Sequence, residues 1–107
     1  MTEARFDEVV HAPHRLRILA LLAAVAGQVE FATLRDLLDV ADSVLSKHLK
    51  VLHDSGYVEL RKPTGQGRVR TWVQLTTRGH DAYAAHVAAL REIVEHGPGE
   101  AVGASPR

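Results

Sequence analysis

The sequence predicts a mainly α-helical domain carrying one β-hairpin of two or three strands. Three observations lead there. Leu45, Leu49 and Leu52 recur at spacings of four and three, the period of a helix with one buried stripe. Residues 58–61 and 68–76 alternate apolar with polar around a turn containing Gly65 and Gly67, the pattern of an antiparallel hairpin. The apolar residues elsewhere between positions 4 and 96 fall into helical periods, in a chain of 107 residues that suffices for one domain and one core.

In chain order, residues 4–11 can form two helical turns with Phe6, Val9 and Val10 on one side. Pro13 suits the first turn of the next helix, from His14 to about Ala26, which directs Leu16, Leu19, Ala20, Leu22 and Ala23 towards a core until Gly27 stops it. Residues 28–32 read as a short extended stretch. Thr33 is then placed to cap a helix, with Asp36 three positions on completing a capping box and Leu34, Leu37 and Leu38 buried. Asp39 stands where a helix commonly exits through a left-handed residue. After about four residues a further helix follows, residues 42–55, capped by Asp42 or Ser43 and ended by Gly56. A helix, a turn of this length and a second helix form a helix-turn-helix.

Within the hairpin, Val58 and Leu60 share one face, and Val69, Thr71, Val73 and Leu75 lie opposite Arg68, Arg70, Trp72 and Gln74. Thr76 can cap a last helix to about His96, on which Tyr83, Val87, Leu90 and Val94 make a coiled-coil-like seam. Gly79 lies inside its first turn, where glycine costs up to about 1 kcal/mol relative to alanine, so a close packing contact is expected there. Residues 1–96 thus read as one domain, and residues 97–107, without period or core residues, as a disordered tail.

Formal net charge is zero, but it is unevenly spread. Residues 41–78 carry seven basic side chains against three acidic ones, whereas each flank is acidic by two charges. The excess falls on the 42–55 helix and the hairpin, a local electrostatic footprint. Ser43, Ser46, Lys47 and Lys50 lie on the helix face opposite the leucines, as hydroxyls and ammoniums able to donate to phosphates and base edges. Cysteine is absent, which excludes disulfides and thiolate metal sites. No apolar run is long enough to span a membrane, and the acidic start of the chain is unlike a signal peptide, so a cytoplasmic location is expected. The serines lack a Gly-x-Ser-x-Gly elbow and no phosphate-binding loop is present, so an enzyme is not expected, nor a cofactor.

Helix, helix, turn, helix, hairpin, helix is the order of a winged helix-turn-helix. The chain resembles the small bacterial winged-helix transcriptional regulators related to the ArsR and MarR groups. The resemblance is carried by residues 11–19 (HAPHRLRIL), 45–52 (LSKHLKVL), 56–58 (GYV), 67–72 (GRVRTW) and 75–79 (LTTRG), in that order. It implies a homodimer that binds double-stranded operator DNA. Ser43, Val44, Ser46, Lys47 and Lys50 then enter the major groove, while Arg68 and Arg70 on the wing meet phosphates or the adjacent minor groove. The wing is short and neutral at Thr64 and Gln66, which favours backbone contact over groove insertion. Asp42 departs from the pattern by placing a negative charge at the leading end of the recognition helix; it stabilises the helix dipole and repels phosphate, and can accept from a cytosine amino group.

Seven histidines raise the question of a metal. The last helix has His80-Asp81 and an isolated His86 rather than Asp-x-His, and His86 and His96 are nearly three turns apart, so no metal site is expected. His48 reads as a half-buried packing residue, and His53 suits the negative end of its helix. Trp72 reads as packing, in the monomer or the dimer, ahead of base stacking. Two apolar stripes, Phe6, Val9 and Val10 at one end and Tyr83, Val87, Leu90 and Val94 at the other, exceed what a small core needs and suggest a dimer surface. The alternative function is a winged-helix module whose basic face binds an acidic protein. Any effector would sit between the subunits, because the chain has no separate ligand domain.

Overall fold

The computed structural model describes residues 3–63 and 70–96. Five helices, α1 (Glu8–His11), α2 (Pro13–Ala24), α3 (Phe31–Leu38), α4 (Asp42–Asp54) and α5 (Thr77–His96), combine with three strands, β1 (Gln28–Glu30), β2 (Val58–Arg61) and β3 (Trp72–Leu75). The antiparallel sheet runs β1-β3-β2, with Val73 opposite both Val29 and Leu60. The expected hairpin is therefore β2–β3, and the extended stretch before α3 adds the third strand. The tip of the hairpin, with Arg68, and the expected disordered tail lie outside the described residues.

The core lies between α2, the leucine stripe of α4 and the inner face of the sheet. Leu19, Leu34, Leu52 and Val73 have no measurable exposure, and Leu45 and Leu49 are almost fully buried. Among the described residues no helix is long and apolar enough to cross a membrane.

Four local expectations are corrected. The N-terminal segment forms one helical turn, not two. Asp7 is extended, and its Oδ1 accepts from the Val9 and Val10 amides at 2.8 and 3.1 Å, so helix begins only after it. Ahead of it, the Arg5 amide donates to the Ala85 carbonyl at 2.9 Å, laying the segment on α5. The second correction concerns α2, which ends at Ala24, before the expected stop, and leaves Ala23 exposed. Third, α3 starts at Phe31, with Glu30 as its N-cap, and has no Thr33–Asp36 capping box. Glu30 is still paired with Trp72 in the sheet and the Phe31 amide donates to the Thr71 carbonyl at 2.8 Å, so the strand satisfies a donor that a cap would otherwise serve. On this two-turn helix Leu34 and Leu38 are buried in the core, Phe31 packs against it, and Leu37 is 60% exposed.

Fourth, neither Asp42 nor Ser43 caps α4: the N-cap is Ala41, and Asp42 is the first helical residue. Asp39 does take the left-handed conformation at the exit of α3, with φ 56°. At the far end of α4, Gly56 has φ 80°, the Tyr57 amide donates to Leu52 and the Gly56 amide to His53, which together satisfy the last carbonyls of the helix.

Thr76 caps α5, its Oγ1 accepting from the Gly79 amide at 2.9 Å. Gly79 is buried, and a Cβ there would lie 2.8 Å from the Tyr57 carbonyl carbon and 2.9 Å from Leu75 Cδ1, so the expected close contact is with backbone. Gly79→Ala is expected to destabilise the fold by about 2–3 kcal/mol, read as a lower denaturant midpoint at unchanged slope, because neither the carbonyl nor the helix can yield cheaply.

Candidate nucleic-acid interface

The outer face of α4 is built by what its inner face must do. Leu45, Leu49 and Leu52 fix the helix rotation, and Ser43, Ser46, Lys47 and Lys50 then span an arc of about 100° on the other side. All four are exposed, and Val44 at the edge of the arc is half-buried. Lys47 has no ion-pair partner among the described residues. Lys50 Nζ lies 3.0 Å from Asp54 Oδ2, one turn on, with both side chains largely exposed. The hydrogen bond from Lys50 holds the Asp54 carboxyl below the usual carboxylate range. An exposed pair of this kind is weak and can give up its lysine to a phosphate.

Two arginines from neighbouring helices reach α4, and neither contact was evident in the sequence. Arg35 of α3 reaches Asp36 through Nε and Asp42 through Nη1, each at 3.1 Å, across the turn of the helix-turn-helix. The acid at the leading end of α4 thus has a cation beside it. Arg15 of α2 donates from Nε to the Val9 carbonyl at 2.6 Å, and its Nη1 lies 3.3 Å from His48 Nδ1. An arginine can only donate, so His48 Nδ1 is the acceptor and the ring is neutral. Burial, first, and the Arg15 charge, second, hold His48 below the ordinary histidine value. His14 stacks obliquely on His48 at 5.2 Å between centroids, and its Nδ1 is buried without a partner. His48 is thus the packing residue expected.

On the sheet side, Arg70 is half-exposed and its Nε lies 3.6 Å from Glu30 Oε2, at the base of the hairpin. The pair is long and its arginine exposed, so it leaves Arg70 open to another anion. Trp72 packs half-buried in the central strand, flanked by Glu30 and Arg61, and with Leu21, Val25 and Leu37 lines a shallow apolar groove. Of the residues expected at a subunit contact, Val94 is 82% and Phe6 43% exposed, while Val9, Tyr83, Val87 and Leu90 are half-buried. Val10 is the exception: it is fully buried in the single chain and serves the core rather than a free surface. No group of three or more metal-ligating side chains occurs among the described residues.

Arg15→Met, which keeps the apolar stem and removes the charge, is expected to raise the titration midpoint of His48 towards 6.5, followed by the ring carbon resonances in NMR. An unmoved midpoint would mean that burial, with the neighbouring His14 and Lys47, sets it without Arg15.

The arrangement has counterparts. A family model described as winged helix DNA-binding domain matches residues 14–94. An uncharacterised protein of Methanocaldococcus jannaschii is 34% identical over 88 residues, 82% of this chain and 90% of that one. A transcriptional regulator homologue from Pyrococcus horikoshii OT3 superposes with a TM-score of 0.77 at 25% identity, covering 83% of this chain and 87% of that one. A possible transcriptional regulator for arsenical resistance gives a TM-score of 0.62 at 27% identity, over 94% and 95% of the two chains. The matched span takes in the helix-turn-helix, the hairpin and most of the last helix, and the chain belongs to the winged helix DNA-binding domain family.

Proposed function

We propose that this chain is a sequence-specific transcriptional regulator that binds double-stranded DNA as a homodimer. The outer face of α4 enters the major groove, with Ser43 and Ser46 letting the helix seat closely and Lys47 and Lys50 reaching phosphates or a guanine edge. Arg68 and Arg70 meet the flanking backbone. The observation that carries this reading is the exposed arc of hydroxyls and ammoniums on a helix whose opposite face is locked into the core. The regulator neighbours in Pyrococcus horikoshii and in arsenical resistance support it, and the family points to a binding module rather than an enzyme.

The subunit contact is formed by the far end of α5, where Leu90, Ile93 and Val94 leave apolar surface at the end of a 20-residue helix, and by Phe6 of the N-terminal segment, which lies against His86 earlier on that helix. In such a dimer the two recognition helices lie about 34 Å apart, one turn of DNA. Val94→Asp is expected to leave the monomer folded, because the side chain is 82% exposed, and to shift sedimentation towards monomer.

Binding to mixed genomic DNA at rising salt tests the main reading. With about six to eight phosphates contacted per dimer, log affinity should fall against log salt with a slope of about −5 to −7. Lys50→Ala should weaken all sequences alike and flatten that slope by about one unit if Lys50 meets phosphate, whereas a loss confined to one base position assigns it to a base. A flat salt response would replace the DNA reading with an acidic protein partner.

A further inference from the structure

A second cluster lies away from α4, where the N-terminal segment crosses α5. His86 is fully buried, and both of its ring nitrogens are engaged. Its Nδ1 lies 3.0 Å from the Asp7 amide nitrogen, and its Nε2 lies 3.1 Å from His11 Nδ1. An amide nitrogen can only donate, so His86 Nδ1 is the bare nitrogen and its single proton is on Nε2. That proton points at His11 Nδ1, which must accept and therefore carries no proton either. The Phe6 ring covers the pair, with centroids 4.7 Å from both imidazoles.

This arrangement exists only while both rings are neutral. A second proton on His86 would sit on Nδ1 and face the Asp7 N–H. A second proton on His11 would sit on Nδ1 and face the His86 Nε2–H. The same tautomer argues against a metal between the rings, since Nε2 of His86 has no lone pair to give.

The bonds at stake hold more than a ring. Asp7 is the cap of α1, and its Oδ2 accepts from the Tyr57 hydroxyl at 2.5 Å, tying the segment to the start of β2. Arg5 is fastened on Ala85, the residue next to His86. We propose that His86, with His11, forms a proton-operated latch that holds residues 5–7 on α5 while His86 is neutral and loosens them when His86 is protonated. The latch does not depend on α4 binding DNA.

The groups acting on His86 are few. Burial disfavours its cation most, His11 from α1 disfavours it further, and the Asp7 carboxylate pulls the other way; the result is a value held below 6.5. Asp7 is itself well supplied: burial opposes its charge, but the Tyr57 hydroxyl and the Val10 and Val9 amides hold its carboxyl below the ordinary value. Because the folded value of His86 lies below the unfolded one, the latch contributes fully above pH 6.5 and its contribution fades as pH falls through the window beneath.

Histidine nitrogen NMR and amide exchange on the full chain test this. At about pH 7.5, His86 should show the Nε2–H tautomer. As the ring titrates, with a midpoint below 6.5, exchange protection of the Asp7 and Arg5 amides, corrected for the intrinsic rate, should fall by about tenfold or more while Val73 in the central strand is unchanged. In His86→Asn, whose Oδ1 can still accept from the Asp7 amide but cannot titrate, the acid-induced loss at Asp7 should disappear. An Nδ1–H tautomer, protection that survives titration of the ring, or an acid release that persists in the variant would each overturn the latch.

Discussion

The structure turns on the junction at Gly56 and Tyr57, where α4 ends, the hairpin begins and the last helix docks. Gly56 makes the left-handed exit that lets the Tyr57 amide close the end of α4. The Tyr57 carbonyl then accepts from the Thr76 amide, the Thr76 hydroxyl donates to the Gly56 carbonyl, and that same oxygen caps α5 through the Gly79 amide. Gly79 has no side chain because the Tyr57 backbone occupies its place. The Tyr57 hydroxyl extends the junction to Asp7 and so to the N-terminal segment. One dipeptide therefore sets the relation between the helix proposed to meet DNA, the sheet and the helix proposed to join subunits.

Around that junction the labour divides by face. The inner stripe of α4 has no freedom, since Leu45, Leu49 and Leu52 are packed against α2 and the sheet. Its outer face is free of packing duties, and Arg35 and Arg15 reach it from the sides. Residues that fix orientation and residues proposed to meet a duplex are thus different residues, so substitutions on the outer face need not disturb the fold.

Much of this was legible in the sequence because it is local. The leucine period of α4, the left-handed Asp39, the Thr76 cap and the alternation of the hairpin are each determined by neighbours within a turn or a strand. The errors have physical causes as well. The Thr33–Asp36 capping box is sound chemistry for an isolated helix, but the pairing of Glu30 with Trp72, some forty residues away in sequence, starts α3 earlier. Asp42 does not cap α4 because the Val44 and Leu45 amides already bond the Ala41 carbonyl, which starts the helix one residue earlier. Val10 had the look of a surface stripe only while residues 4–11 were read as a two-turn helix. The Arg15–His48 contact and the His11–His86–Asp7 cluster left no sequence signal, since each joins residues more than thirty positions apart.

The central claim is that the outer face of α4 meets a duplex. Its most direct test is amide NMR of the labelled protein titrated with a short duplex selected from a random pool. Perturbations centred on Ser43, Ser46, Lys47 and Lys50, with the Leu21–Val25–Leu37 groove unaffected, are the predicted result. Perturbations centred on that groove, with the amides of α4 unmoved, would contradict it.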